Sequence, residues 1–156
     1  MSTGLRALTI AAALGAGATG GVLFGFSSFV MDGLARLPAA QGIAAMQAIN
    51  VAAVRPAFMT CLFGTAAASV WLAVRSLLTW GERPAALLLA GSALYLVGTV
   101  GLTVAYHVPR NDALATLDPD GEGAAAHWAG YVKGWTLWNH VRTATALAGA
   151  AAFTLV

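Results

Sequence analysis

Long apolar blocks alternate with short polar punctuation along the whole chain. Residues 7–31, 56–78 and 84–107 are almost free of charge, and each is long enough for the roughly 20 residues that cross a hydrocarbon core. A fourth block, 134–156, is interrupted only by His140 and Arg142. Blocks of this length without internal alternation predict helices, and neighbours in sequence that cross a bilayer must run antiparallel. The expectation is an all-α protein: a transmembrane four-helix up-and-down bundle forming one membrane domain over residues 1–156. The first block follows Arg6 as a secretory signal would, but it exceeds a typical signal core and has no clear cleavage pattern, so it is expected to be retained.

Two connections are more than turns. After Pro38, residues 39–55 carry Ala, Ile and Met at helical intervals and predict a short interfacial helix between spans one and two. Residues 108–133 hold most of the acidic side chains and predict a helical loop between spans three and four. There Pro109 is expected to end the third span, and Asn111 and Asp118 stand where helix N-caps would be. Both long connections fall on one side of the membrane, opposite the termini. Lys and Arg are too evenly divided between the two sides to fix orientation firmly.

Composition strengthens this picture. Hydrophobic residues make up 59% of the 156 residues and charged ones 9%, against about a quarter charged in an ordinary soluble domain. So little polar surface cannot cover a water-soluble particle. The net charge of +2 comes from scattered side chains, and without a basic cluster nucleic acid is not an expected partner. Cys61 is alone and reads as a small core residue. Gly17, Gly21 and Gly25 recur every four residues, a smooth stripe that suits close helix packing or a homo-oligomer contact in lipid. The overlapping G-x-G-x-x-G at residues 15–20 lies inside a span, without the strand and helix start that a dinucleotide site requires.

The polar residues of the last block need an explanation. At about 100° per residue, Trp128, Tyr131, Trp135, Asn139 and Arg142 share one face with Trp138 at its edge, while His140 points well away from Arg142. A charge within a span is expensive and is expected to face protein or a wet cavity. Tyr106, His107, Arg110, Asn111 and Asp112 arrive from the third span, Asn50 and Arg55 from the first connection, and Asp32 from the end of the first span. Together these predict a pocket walled by Trp and roofed by Asn, His and Arg. Alternatives stand beside it: Arg142 pairs with Asp32 or Asp112 to lock the helices, Trp80 and Trp128 form an interface belt, and His107 and His127 are surface residues. The three histidines lack metal-ligand spacing and have no carboxylates beside them, so no metal site and no cofactor are expected.

The runs "AINVAAVRP", "VPRNDALA" and "WAGYVKGWTLWNHVRTATALA" resemble the anthrone-oxygenase-like family of small integral membrane proteins over almost the whole chain. Asn50, Pro109, Asn111, Trp135, Trp138, Asn139, His140 and Arg142 fall on the family pattern, whereas His107 stands where an Asn is expected. The resemblance implies an oxygenase acting on a flat, apolar phenolic or enolisable aromatic. In that reading His140 takes a proton, Arg142, Asn139 and Asn111 stabilise the enolate, and Trp135, Trp138, Asn50, Tyr131 and Arg110 bind the ring. Its partners would be a lipophilic aromatic and membrane lipid, its place a bacterial plasma membrane. The alternative is a non-catalytic membrane protein that holds a lipophilic metabolite or a partner subunit. A transporter is disfavoured by the small size and the lack of an internal repeat.

Overall fold

A computed structural model describes residues 2–156 of the protein. Among these are five helices: α1 (Thr3–Ala35), α2 (Ala39–Ala53), α3 (Pro56–Leu78), α4 (Ala85–Ala115) and α5 (Ala124–Thr154). Three of them, α1, α3 and α4, are long and apolar enough to cross a membrane. Helix α5 is of similar length, but Asn139, His140 and Arg142 lower its mean hydropathy. Helix α1 packs against α3 and α5, and α4 packs against the same two. The α2 helix lies across one end, as expected for the first connection. It is pinned there by Gln47, whose Nε2 donates to the carbonyls of Leu114 (2.9 Å), in the last turn of α4, and Leu117 (3.0 Å), just past it.

The second connection differs from the expectation. Helix α4 does not stop at Pro109 but runs on to Ala115, leaving only 116–123 as a loop. A proline inside a helix clashes with the carbonyl four residues back. Here the turn over Thr103–His107 is widened into π geometry, which opens the space that the Pro109 ring occupies. Two more widened stretches, Phe26–Val30 in α1 and Leu94–Gly101 in α4, lie nearby. Asp118 caps no helix: its Oδ1 accepts from the Asp120 amide at 3.1 Å. Helix α5 instead starts behind Gly123, at φ +78°.

The core is layered. At the α2 end, Met31, Ile43, Met46, Leu114, Trp128, Tyr131 and Trp135 pack together. A thin middle layer joins Ala16, Leu62, Tyr95 and Ala146, and the Tyr95 hydroxyl donates to the Leu62 carbonyl at 3.2 Å. Leu5, Leu72, Leu88 and Phe153 fill the far end. Trp128 belongs to the first layer, whereas Trp80 is exposed as an interface belt residue would be.

Close helix approach uses glycines other than the stripe read from sequence. A methyl placed at Gly17 or Gly21 would meet nothing within 4 Å, so that stripe faces away from the other helices. At Gly91 a methyl would lie 2.8 Å from the Phe153 ring and 3.1 Å from the Gly149 carbonyl. Gly91→Ala is therefore expected to destabilise the α4–α5 contact by about 1–3 kcal/mol, measured as a lower thermal unfolding midpoint in detergent. Gly17→Ala is expected to leave that midpoint unchanged.

Candidate functional site

Between the α2-end layer and the middle layer lies a cavity of about 640 Å³, a size suited to a small-molecule ligand. Its walls are mostly apolar: Val22, Leu23 and Phe26 of α1, Phe58, Met59, Leu62 and Phe63 of α3, and Val104 and Val108 of α4. Met46 and Ile49 of α2 form the roof, with Val54 just beyond the end of that helix. The polar groups are few and come from different helices: Asn50, Thr103, His107, Asn111 and Arg142, with the indole of Trp135.

Arg142 sits at the inner end, with only 5% of its surface exposed. Its Nη2 donates to Asn139 Oδ1 (2.6 Å) and its Nη1 to Thr103 Oγ1 (3.1 Å), while Nε has no partner. The guanidinium lies 5.2 Å from the Trp135 ring centre, close enough for a cation–π contact. No carboxylate pairs with it among the described residues: Asp32 is bound to Arg36 at 2.7 Å on the surface and Asp112 is exposed. The bundle-locking ion pair considered from sequence is thus not formed. A buried cation without a counter-charge costs several kcal/mol, so the site is poised to accept an anionic oxygen.

Asn139, fully buried, holds this cation in place. Its Nδ2 donates to the Leu23 carbonyl (2.7 Å) and to Ser27 Oγ (2.6 Å) on α1, leaving Oδ1 for Arg142. Asn111, inside α4 and not at a cap, accepts at Oδ1 from the Tyr131 hydroxyl (2.8 Å) and from Trp135 Nε1 (3.1 Å). Burial pushes the Tyr131 phenol up to about 12, so it stays a donor and fixes Asn111. Asn50 Nδ2 is buried and unpartnered.

His107 is the wall residue that sequence reasoning set aside. Only 1% exposed, it places Nδ1 3.2 Å from the Leu102 carbonyl and Nε2 3.3 Å from the Trp135 carbonyl. A neutral imidazole has one N–H, so it donates to only one of these two carbonyls at a time. The Thr103, His107, Asn111 spacing of four was the available signal.

Several expected site residues lie elsewhere. His140 is exposed and lines a separate shallow groove with Ser27, Asp32, Lys133 and Thr136, because its direction on α5 is turned away from Arg142. Trp138 is 39% exposed and packs on Tyr106, with ring centres 5.3 Å apart. Arg110 is exposed, with its guanidinium 3.5 Å over the Tyr106 ring. Tyr131 does not line the cavity and packs behind it, hydrogen-bonded to Asn111. Among the described residues no three His, Cys, Asp or Glu side chains gather at metal-binding distance.

A sequence profile of the anthrone oxygenase family matches residues 55–152, more than half of the chain. The chain belongs to the anthrone oxygenase family. No curated protein and no solved structure matches it. The stretch shared with the anthrone oxygenase family contains α3, α4 and most of α5, and so includes Thr103, His107, Asn111, Trp135, Asn139 and Arg142. The roof helix α2 and the α1 wall precede it.

Proposed function

We propose that this protein is an oxygenase of a lipophilic, enolisable phenolic aromatic of the anthrone type, built as a single four-span bundle in a bacterial plasma membrane. The observation that carries the reading is the buried, carboxylate-free guanidinium of Arg142 facing an apolar cavity. Removing a proton from the activated methylene of such a substrate leaves an enolate. Its oxygen binds against the cavity-facing edge of the Arg142 guanidinium, and charge developing in a dry site is stabilised there more than in water. The apolar walls and Trp135 hold the rings.

The proton goes to His107, the imidazole that lines the cavity, once rotation of its ring frees one nitrogen from the Leu102 or the Trp135 carbonyl. The electron-rich enolate carbon then reacts directly with dioxygen, without a cofactor. Overall the methylene carbon loses two hydrogens and gains one oxygen atom as a ketone, and the other oxygen leaves as water.

The test is oxygen uptake and quinone absorbance with a panel of hydroxyanthrones added to the protein in lipid vesicles. His107→Asn is expected to lower turnover by about 10²–10⁴-fold, the usual worth of a positioned base. His140→Ala, in the other groove, is expected to stay within about three-fold of the unmodified protein, less than 1 kcal/mol of barrier. The reverse order would move the base to His140. Stoichiometric binding without oxygen uptake across the panel would replace catalysis with storage or delivery of the ligand.

A further inference from the structure

We infer that the cavity is loaded from the hydrocarbon phase of the membrane, through an opening between α3 and α4 rimmed by Phe63 and Val104, and not from water. This rests on the reading of the cavity as a site for a lipophilic substrate. Three features of the structure carry it.

First, the two helices separate at the level of the cavity. Helix α3 packs along Ala85–Gly101 of α4, and close packing is not maintained along Thr103–Ala115. The widened turns of α4 and Pro109 lie in the stretch that departs. Second, the rim is apolar and open. Phe63 and Val104 both line the cavity and are 51% and 58% exposed, and Val108 beside them is also exposed. At the side chains of Phe63, Val104 and Val108 water gains no hydrogen bond, whereas an aromatic or an acyl chain keeps apolar contact as it passes them. Third, the end facing water is covered. Helix α2 crosses it with Met46, which is 1% exposed, and Ile49, and Gln47 bonds this roof to the Leu114 and Leu117 carbonyls.

The path leads from the rim past Met59 and Leu62 to Arg142. An entering molecule thus meets hydrocarbon first and the cation last, an order that selects for compounds dissolved in lipid with one acidic oxygen at the leading edge. Phe63 and Val104 would then set the width of ring system admitted.

The experiment uses the full chain in phospholipid vesicles doped with a phospholipid bearing a diazirine at the end of one acyl chain. Irradiation followed by peptide mass spectrometry maps where the chain end reaches. A tethered acyl chain can enter only from the side. Adducts are expected on Met59 and on Leu62, which is 3% exposed and faces the cavity, as well as on outward-facing Trp71 and Val97. Phe63→Trp with Val104→Trp is expected to cut the Leu62 adduct about ten-fold, a 1.4 kcal/mol change in occupancy, with Trp71 and Val97 unchanged. Adducts on Trp71 and Val97 with none on Met59 or Leu62 in the unmodified protein would overturn the inference, and this mapping needs no well-folded variant. Because no substrate or turnover is involved, loss of the oxygenase reading in the hydroxyanthrone assay would leave this result standing, and the converse also holds.

Discussion

Arg142→Met is expected to lower substrate-dependent oxygen uptake by about 10²–10³-fold, the loss seen when one oxyanion donor is removed from a preorganised site. The fold is expected to tolerate the change. Removing a cation that is 95% buried by surface and has no carboxylate partner relieves a desolvation cost of several kcal/mol. Against this, Asn139 Oδ1 and Thr103 Oγ1 lose a donor, at about 1–3 kcal/mol for a stranded buried acceptor. The thermal midpoint should therefore stay level or rise while activity collapses. Arg142→Lys is expected to fall between the two, since a point charge cannot keep the fork to Asn139 and Thr103 and also present a free N–H. A methionine variant with undiminished turnover would remove the guanidinium from the chemistry, and with it the main support for an enolate mechanism.

Asn139→Ala is expected to be the most destabilising single change in the last helix, by about 3–5 kcal/mol. That is the scale for stranding a buried charge, and here it combines with the lost hydrogen bonds to the Leu23 carbonyl and Ser27. The measurement is unfolding in detergent by heat or denaturant. Asn139→Asp separates two roles of this residue. A carboxylate at that position gives Arg142 the counter-charge it lacks, so stability should recover in part, while turnover should remain low because the cation is neutralised. An alanine variant as stable as the parent would show that α1 and α5 do not depend on this link.

The helices were legible in the sequence because hydrocarbon-spanning blocks need no fine pattern. The buried seam of α5 was legible too: Trp128, Tyr131, Trp135, Asn139 and Arg142 share a face at regular helical spacing, and all five are buried. The same geometry turned His140 away, even though it sits beside Asn139 in the motif. What could not be read were partners set by irregular backbone. The wide turn before Pro109 carries α4 past a proline expected to end it, and so sets Asn111 inside the helix and not at a cap. The Leu23 carbonyl, which receives Asn139, leaves no mark on side-chain composition. Neither does the choice of Gly91 over the regular Gly17, Gly21, Gly25 stripe, because close approach is decided by what stands opposite. Gln47, an ordinary polar residue on an interfacial helix, likewise showed nothing of its grip on the end of α4.

The gap between α3 and α4 bears on the gas as well as on the ring compound. Dioxygen is nonpolar and more soluble in oily media than in water, so a doorway edged by Phe63 and Val104 would draw both reactants of the proposed oxygenation from one reservoir. Their encounter would then follow bilayer oxygen tension and acyl-chain order, and a stiffer, sterol-like or cooled lipid phase would starve the reaction at constant aqueous oxygen.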